Sequence, residues 1–189
     1  ALAEVLMSGG LKLASGGSSM PWVRADGMSG NGRVIFGTSN FQAGVAWVDE
    51  GPMIDFGAML NVQSLGTANY DGTRVPMSTA EGVLLWNAMR GTGANAFTNI
   101  DGLHYCRDVP YLDWFGQDLC AQYTEEELLE LVGVVPVSLH DTTDKGDIII
   151  GRAGSFFTGF YGAMWIEGIG WMQMNEFLHK QGVVEAQDI

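Results

Sequence analysis

Hydrophobic residues fall along this chain in short blocks whose period changes from one block to the next. Residues 33–37 (RVIFG) and 43–49 (AGVAWVD) are dense in β-branched and aromatic side chains, with Ser39 and Asn40 between them. Two such runs around turn residues predict a pair of adjacent strands. Residues 53–65 (MIDFGAMLNVQSL) partly alternate apolar with polar, and 69–72 (NYDG) supply turn chemistry, so a third strand and a reversal should follow.

Ser78-Thr79-Ala80-Glu81 has the form of a capping box, in which Ser78 accepts from the Glu81 N–H while the Glu81 carboxylate reaches back. The spacing predicts a helix over 79–90 that stops at Gly91. Val83, Leu84, Leu85, Trp86, Ala88 and Met89 cover most of its circumference, as expected of a helix enclosed by other structure. Residues 91–118 mix turn residues with aromatics at no clear period and read as an irregular excursion. Thr124 followed by Glu125, Glu126 and Glu127 repeats the capping pattern, and three carboxylates in a first turn suit the helix dipole. A short helix over 125–132, ended by Gly133, follows.

Residues 134–139 and 147–151 read as strands, the first on an edge or at a bulge because Pro136 has no N–H for a ladder. Residues 156–169 read as one long glycine-broken strand or a hairpin, and 172–180 as a helix before Gly182. No internal repeat is present. The mixture predicts an α+β fold, mainly antiparallel β-sheet of sandwich or barrel-like form, with two or three short helices.

The first 32 residues stand apart, rich in Gly and Ser. Fixing each backbone residue costs about 1–2 kcal/mol, and glycines bury no side chain in return. An ordered arm of this composition must lie against the domain body or against a neighbouring copy. The expected organisation is an extended arm over 1–32 and a single α+β domain over 33–189.

Composition adds a second constraint. Hydrophobic residues make up 47% of the chain and charged residues 16%, against roughly 25% in an ordinary soluble domain. Either uncharged polar residues cover the outside or much of the outside is interface. Ten Met and six Trp fit the interface reading, since both are enriched at contact cores, and fit a Met-rich interior as well. Acidic residues outnumber Lys and Arg by 22 to 9, for a net charge of −13. Phosphate contacts need clustered Lys and Arg, so nucleic acid and anionic membrane surfaces are poor partners. Residues 155–171 form the longest strongly apolar region, but Glu167 and four glycines leave it short of a membrane span.

Candidate chemistry is sparse. Asp141, Asp144 and Asp147 in HDTTDKGD are oxygen ligands of a kind that suits calcium, at a spacing unlike an EF-hand loop and without its closing Glu. Solvated turn acids are the simpler explanation. His104, Cys106, Cys120 and His140 are zinc-type residues with no CxxC or HxxxH knuckle, and a Cys–His catalytic pair has no further support. Closing Cys106 and Cys120 as a disulfide would contribute about 3 kcal/mol in the chain-entropy model; free thiols are the alternative in a reducing compartment. Ser138, His140 and Asp141 lack a G-x-S-x-G turn, and Gly27, Gly30 and Gly32 match no nucleotide loop. Tyr105, Tyr111, Trp114 and Phe115 near Asp108 and Asp113 have the makings of a sugar-stacking cleft, or of core packing.

Together these features point away from an enzyme or cofactor protein and towards a self-assembling structural subunit of a virion. Its partners would be copies of itself and other structural subunits. Chains of this size repeat in closed or helical symmetry and exchange arms, and an acidic wall lets DNA pass without sticking. The rival expectation is a secreted carbohydrate-binding or hydrolytic domain using the aromatic and acidic loop over 105–118.

Overall fold

The computed structural model describes residues 23–39, 42–111, 115–155 and 159–183. Three four-stranded sheets follow one another along the chain, each an antiparallel meander. The first joins β1 (Val23–Met28), β2 (Val34–Ser39), β3 (Gln42–Val48) and β4 (Ile54–Asp55) in that order. After a single helical turn, α1 (Phe56–Leu60), the second joins β5 (Ser64–Leu65), β6 (Val75–Thr79), β7 (Gly82–Trp86) and β8 (Phe97–Asn99). An irregular excursion leads to α2 (Glu125–Val132). The third sheet then joins β9 (Val137–Thr142), β10 (Ile148–Ser155), β11 (Gly159–Ile166) and β12 (Gly170–Gln173), and α3 (Met174–Lys180) closes the described chain. The α+β, mainly antiparallel reading holds.

The second sheet is the middle layer, and the alternation along β7 makes it so. Val83 and Leu85 enter a core shared with Val137, Leu139, Ile149, Ala163 and Trp165 of the third sheet and with Leu128 of α2. Trp86 points the other way, into a core with Val34, Phe36 and Ala46 of the first sheet, and with Val75 and Met77. The first sheet carries a further small cluster on its outer face, Ile35, Val45 and Trp47, with Val23, Ala25 and Met53 packed against it.

The segment expected as a helix over 79–90 is instead the β6–β7 hairpin. A strand buried on both faces is apolar at successive positions, which is also how an enclosed helix reads. Ser78 is buried in β6 rather than capping, and the turn is built by Thr79. Its hydroxyl accepts from Glu81 N–H at 3.2 Å and donates to the Gly82 carbonyl at 3.1 Å. Gly82 sits at φ 136°, which glycine adopts freely and other residues rarely do.

The long third strand expected over 53–65 is broken by α1 into the two-residue strands β4 and β5. The helical turn drives Phe56 into the core, edge-on to Trp86 at 4.6 Å and to Phe97 at 6.2 Å between ring centroids. The helix over 125–132 forms as expected, with both halves of its capping box made by Thr124 and Glu127 and with Gly133 at its end. Pro136 lies just before β9, where its missing N–H costs nothing, and its carbonyl accepts from Gly154 N–H at 3.1 Å. Of the strand or hairpin expected over 156–169, residues 159–166 form the single strand β11 and 156–158 lie outside the described residues; β12 pairs with it after a turn and takes the first two residues of the helix expected over 172–180, which begins at Met174. Residues 23–28 of the expected arm are β1, paired to β2, and residues 1–22 lie outside the described residues.

Candidate functional site

The densest polar constellation gathers where the excursion meets α2. Cys106 and Cys120 are disulfide-bonded, with Cα atoms 5.3 Å apart, which settles the question that their spacing leaves open. The bond ties the loop after β8 to the segment that launches α2. Beside it, Arg107 is paired with Asp108 at 2.8 Å and lies 3.6 Å from both Asp101 and Glu125. Its guanidinium pKa is raised, chiefly by the hydrogen bonds to Asp108. Asp108 also accepts from His104 N–H at 2.8 Å, which pins the loop backbone. His104 lies between two carboxylates: Nε2 is 3.4 Å from Asp101 and Nδ1 is 2.8 Å from Glu125. The Nδ1 contact is an ion-pair distance off the ring N–H axis, so that nitrogen has no aligned hydrogen bond. Burial pushes the Asp101 carboxyl up, but the Gly102 N–H, His104 and Arg107 together hold it below its ordinary value.

These groups use one another. Arg107 and His104 face three carboxylates across the junction, a pattern that locks two segments together. The disulfide removes both thiols from any zinc or nucleophile chemistry, and His140 is exposed on β9. Tyr105 is buried and packs at a tilt against Tyr111, 4.5 Å between centroids, and burial raises its phenol pKa, so it is core rather than an open sugar platform. Phe115 is 85% exposed, while Asp113 and Trp114 lie outside the described residues.

Asp141, Asp144 and Asp147 lie at the β9–β10 reversal. Asp141 accepts from Thr142 N–H at 2.9 Å, and the Asp144 carbonyl accepts from Tyr70 N–H at 3.1 Å. Asp147 accepts from the Thr143 hydroxyl, which holds its carboxyl below the usual range. Among the described residues no three His, Cys, Asp or Glu side chains converge as a metal group. The reversal docks on the middle sheet through Arg74, which donates to the Gly146 carbonyl at 3.1 Å and to Glu167 at 2.7 Å. A cleft of about 450 Å³ opens beside the β6–β7 turn, lined by Asn61, Thr79, Glu81 and Asn99 with Met59 and Leu60. Among the described residues Glu81 is its one carboxylate.

The other conspicuous surface is apolar. On α2 only Leu128 is buried, and Leu129, Leu131 and Val132 are 41%, 66% and 43% exposed. On the third sheet Phe160 is 49% exposed with the Arg152 guanidinium 4.2 Å above its ring, and Ile169 in the β11–β12 turn is 69% exposed. Among the described residues no helix is long and apolar enough to cross a membrane. No family model, curated protein or solved structure matches this chain.

The polar junction was only partly open to sequence reasoning. His104, Cys106, Arg107 and Asp108 lie within five positions and advertise a polar turn, whereas Glu125 joins them across 17 positions of excursion with no spacing rule to announce it.

Proposed function

We propose that the chain is a non-enzymatic, self-associating structural protein, a capsid, decoration or tail subunit of a virion. The observation that carries this reading is the surface: large apolar side chains stand exposed on α2 and on the β11–β12 hairpin of a chain with only 16% charged residues. Apolar groups in such number at a charge-poor surface are the mark of contact faces. The net charge of −13 suits a subunit whose wall faces DNA without holding it. Three stacked antiparallel meanders supply the body of such a subunit. Native mass measured over a wide protein concentration range tests the reading. A discrete oligomer or filament supports it, and a monomer throughout contradicts it.

The disulfide supports a second reading, a secreted carbohydrate-binding or hydrolytic module, because such bonds persist in oxidising compartments. Under that reading the chain stays monomeric and a glycan array returns a ligand that protects the loop around Phe115.

A further inference from the structure

We infer that the cleft beside the β6–β7 turn binds a small organic cation, an ammonium or guanidinium group carried on a short apolar stem. The inference goes beyond the structural role proposed above and does not depend on self-association. The cleft measures about 450 Å³, and small-molecule sites run from about 300 to 1,000 Å³. The end of α1 contributes Met59, Leu60 and Asn61 to its lining, and the middle sheet contributes the β6–β7 turn with Leu84 and Asn99.

Hydrogen bonds fix this lining in place. The Thr79 hydroxyl accepts from Glu81 N–H at 3.2 Å and donates to the Gly82 carbonyl at 3.1 Å, so the turn that carries Glu81 is closed on itself. Gln63 N–H donates to the Ser78 carbonyl at 2.7 Å, which ties the chain leaving α1 to β6. Asn99 Oδ1 accepts from Asp101 N–H at 3.0 Å, which orients that amide, and Leu84 faces Asn99 across the β7–β8 ladder. A site held this way has little freedom left to lose when a ligand enters.

The lining selects the class of ligand. Among the described residues Glu81 is the one charged group on the cleft, and it is exposed. An anion would meet that carboxylate in a chain of net charge −13. One carboxylate beside the Asn61 and Asn99 amides is too sparse for calcium, which takes about six to eight oxygen ligands. No aromatic ring lines the cleft among the described residues, so a sugar has no platform to stack on. An organic cation fits each of these groups. Glu81 pairs with its charge, and the Asn61 amide oxygen accepts a second N–H. Its stem covers Met59, which is 51% exposed, together with Leu60 and Leu84, which are half-buried against the core between the first and middle sheets. Taking that apolar surface out of water adds to the charge pair.

The test is an NMR titration of the full chain with n-butylguanidinium. Backbone amide shifts should move at residues 59–61, 79–84 and 99, with a Kd of about 1 mM, as expected of a ligand this small. Glu81→Gln keeps the turn, whose bond to Thr79 uses the Glu81 backbone, and should weaken binding about fivefold, the worth of one exposed ion pair. Glu130→Gln removes the same charge from α2, whose Leu128 packs on the opposite face of the middle sheet from Leu84, and should leave binding unchanged. Neutral n-butylurea should bind about fivefold more weakly. Methylguanidinium, which lacks the stem, should bind about tenfold more weakly. No shifts at the cleft residues would overturn the inference. Equal losses from Glu81→Gln and Glu130→Gln would overturn it as well, by assigning the attraction to the net charge. The Kd should not change with protein concentration; a Kd that rises as the chain self-associates would hand the cleft to a basic side chain of a second copy.

Discussion

Phe56 does more for this fold than its place in a five-residue helix implies. Fully buried, it meets Trp86 and Phe97 edge-on and so joins α1 to the neighbouring strands β7 and β8. Phe56→Ala should cost about 3–5 kcal/mol, read as a lower urea midpoint with unchanged slope. The carboxylates act in the opposite sense to burial. Asp71 is held below its ordinary range first by the Thr73 hydroxyl, then by the Thr73 N–H. A carboxyl depressed in the folded state contributes stability that is present above the unfolded value, about 4, and is lost as pH falls through the folded value. The urea midpoint should therefore fall below about pH 4, and Asp71→Asn should make that acid limb shallower. At this scale the sequence was informative where a residue's role is local, as at Thr124 and Gly133, and silent where the partner is remote, as for Arg74 and Glu167, 93 positions apart.

At the scale of elements, the two capping-box patterns had different outcomes. Thr124 leads a segment with Leu128 as its buried residue and three leading glutamates, and nothing competes with the helix. Ser78 leads Val83-Leu84-Leu85-Trp86, where β-branched and aromatic residues face a core on each side, and tertiary burial overrides the local signal. The β-branched and aromatic runs made β2 and β3 legible, β1 was hidden in the expected arm, and the partial alternation over 53–65 misled, because one helical turn at Phe56 resets the period. The excursion after β8 has no period to read, and its order comes from covalent and ionic ties. Reducing the Cys106–Cys120 bond should lower stability by about 3 kcal/mol, given the 14-residue separation. Denaturant curves with and without reductant, and of Cys106→Ser/Cys120→Ser, measure this. An unchanged midpoint would mean that the Arg107 cluster alone secures the junction.

The whole molecule is three meanders in series, with a middle sheet buried on both faces and outer sheets that each retain exposed ground. That arrangement fits the composition: two cores take up the large apolar fraction, and what remains outside is short of charge. The site candidates visible in the sequence take structural places in the fold. Asp141 and Asp147 hydrogen-bond within the β9–β10 reversal that also holds Asp144, the cysteines form a staple, and Tyr105 packs in the interior against Tyr111. Among the described residues the molecule presents exposed apolar side chains on α2 and on the β11–β12 hairpin, the surface on which the proposed self-association rests. The most direct measurement is the native mass of the unmodified chain across a thousandfold concentration range, by light scattering coupled to size exclusion. A discrete assembly that grows in with concentration is the predicted result; a 20.4 kDa monomer at every concentration would contradict it.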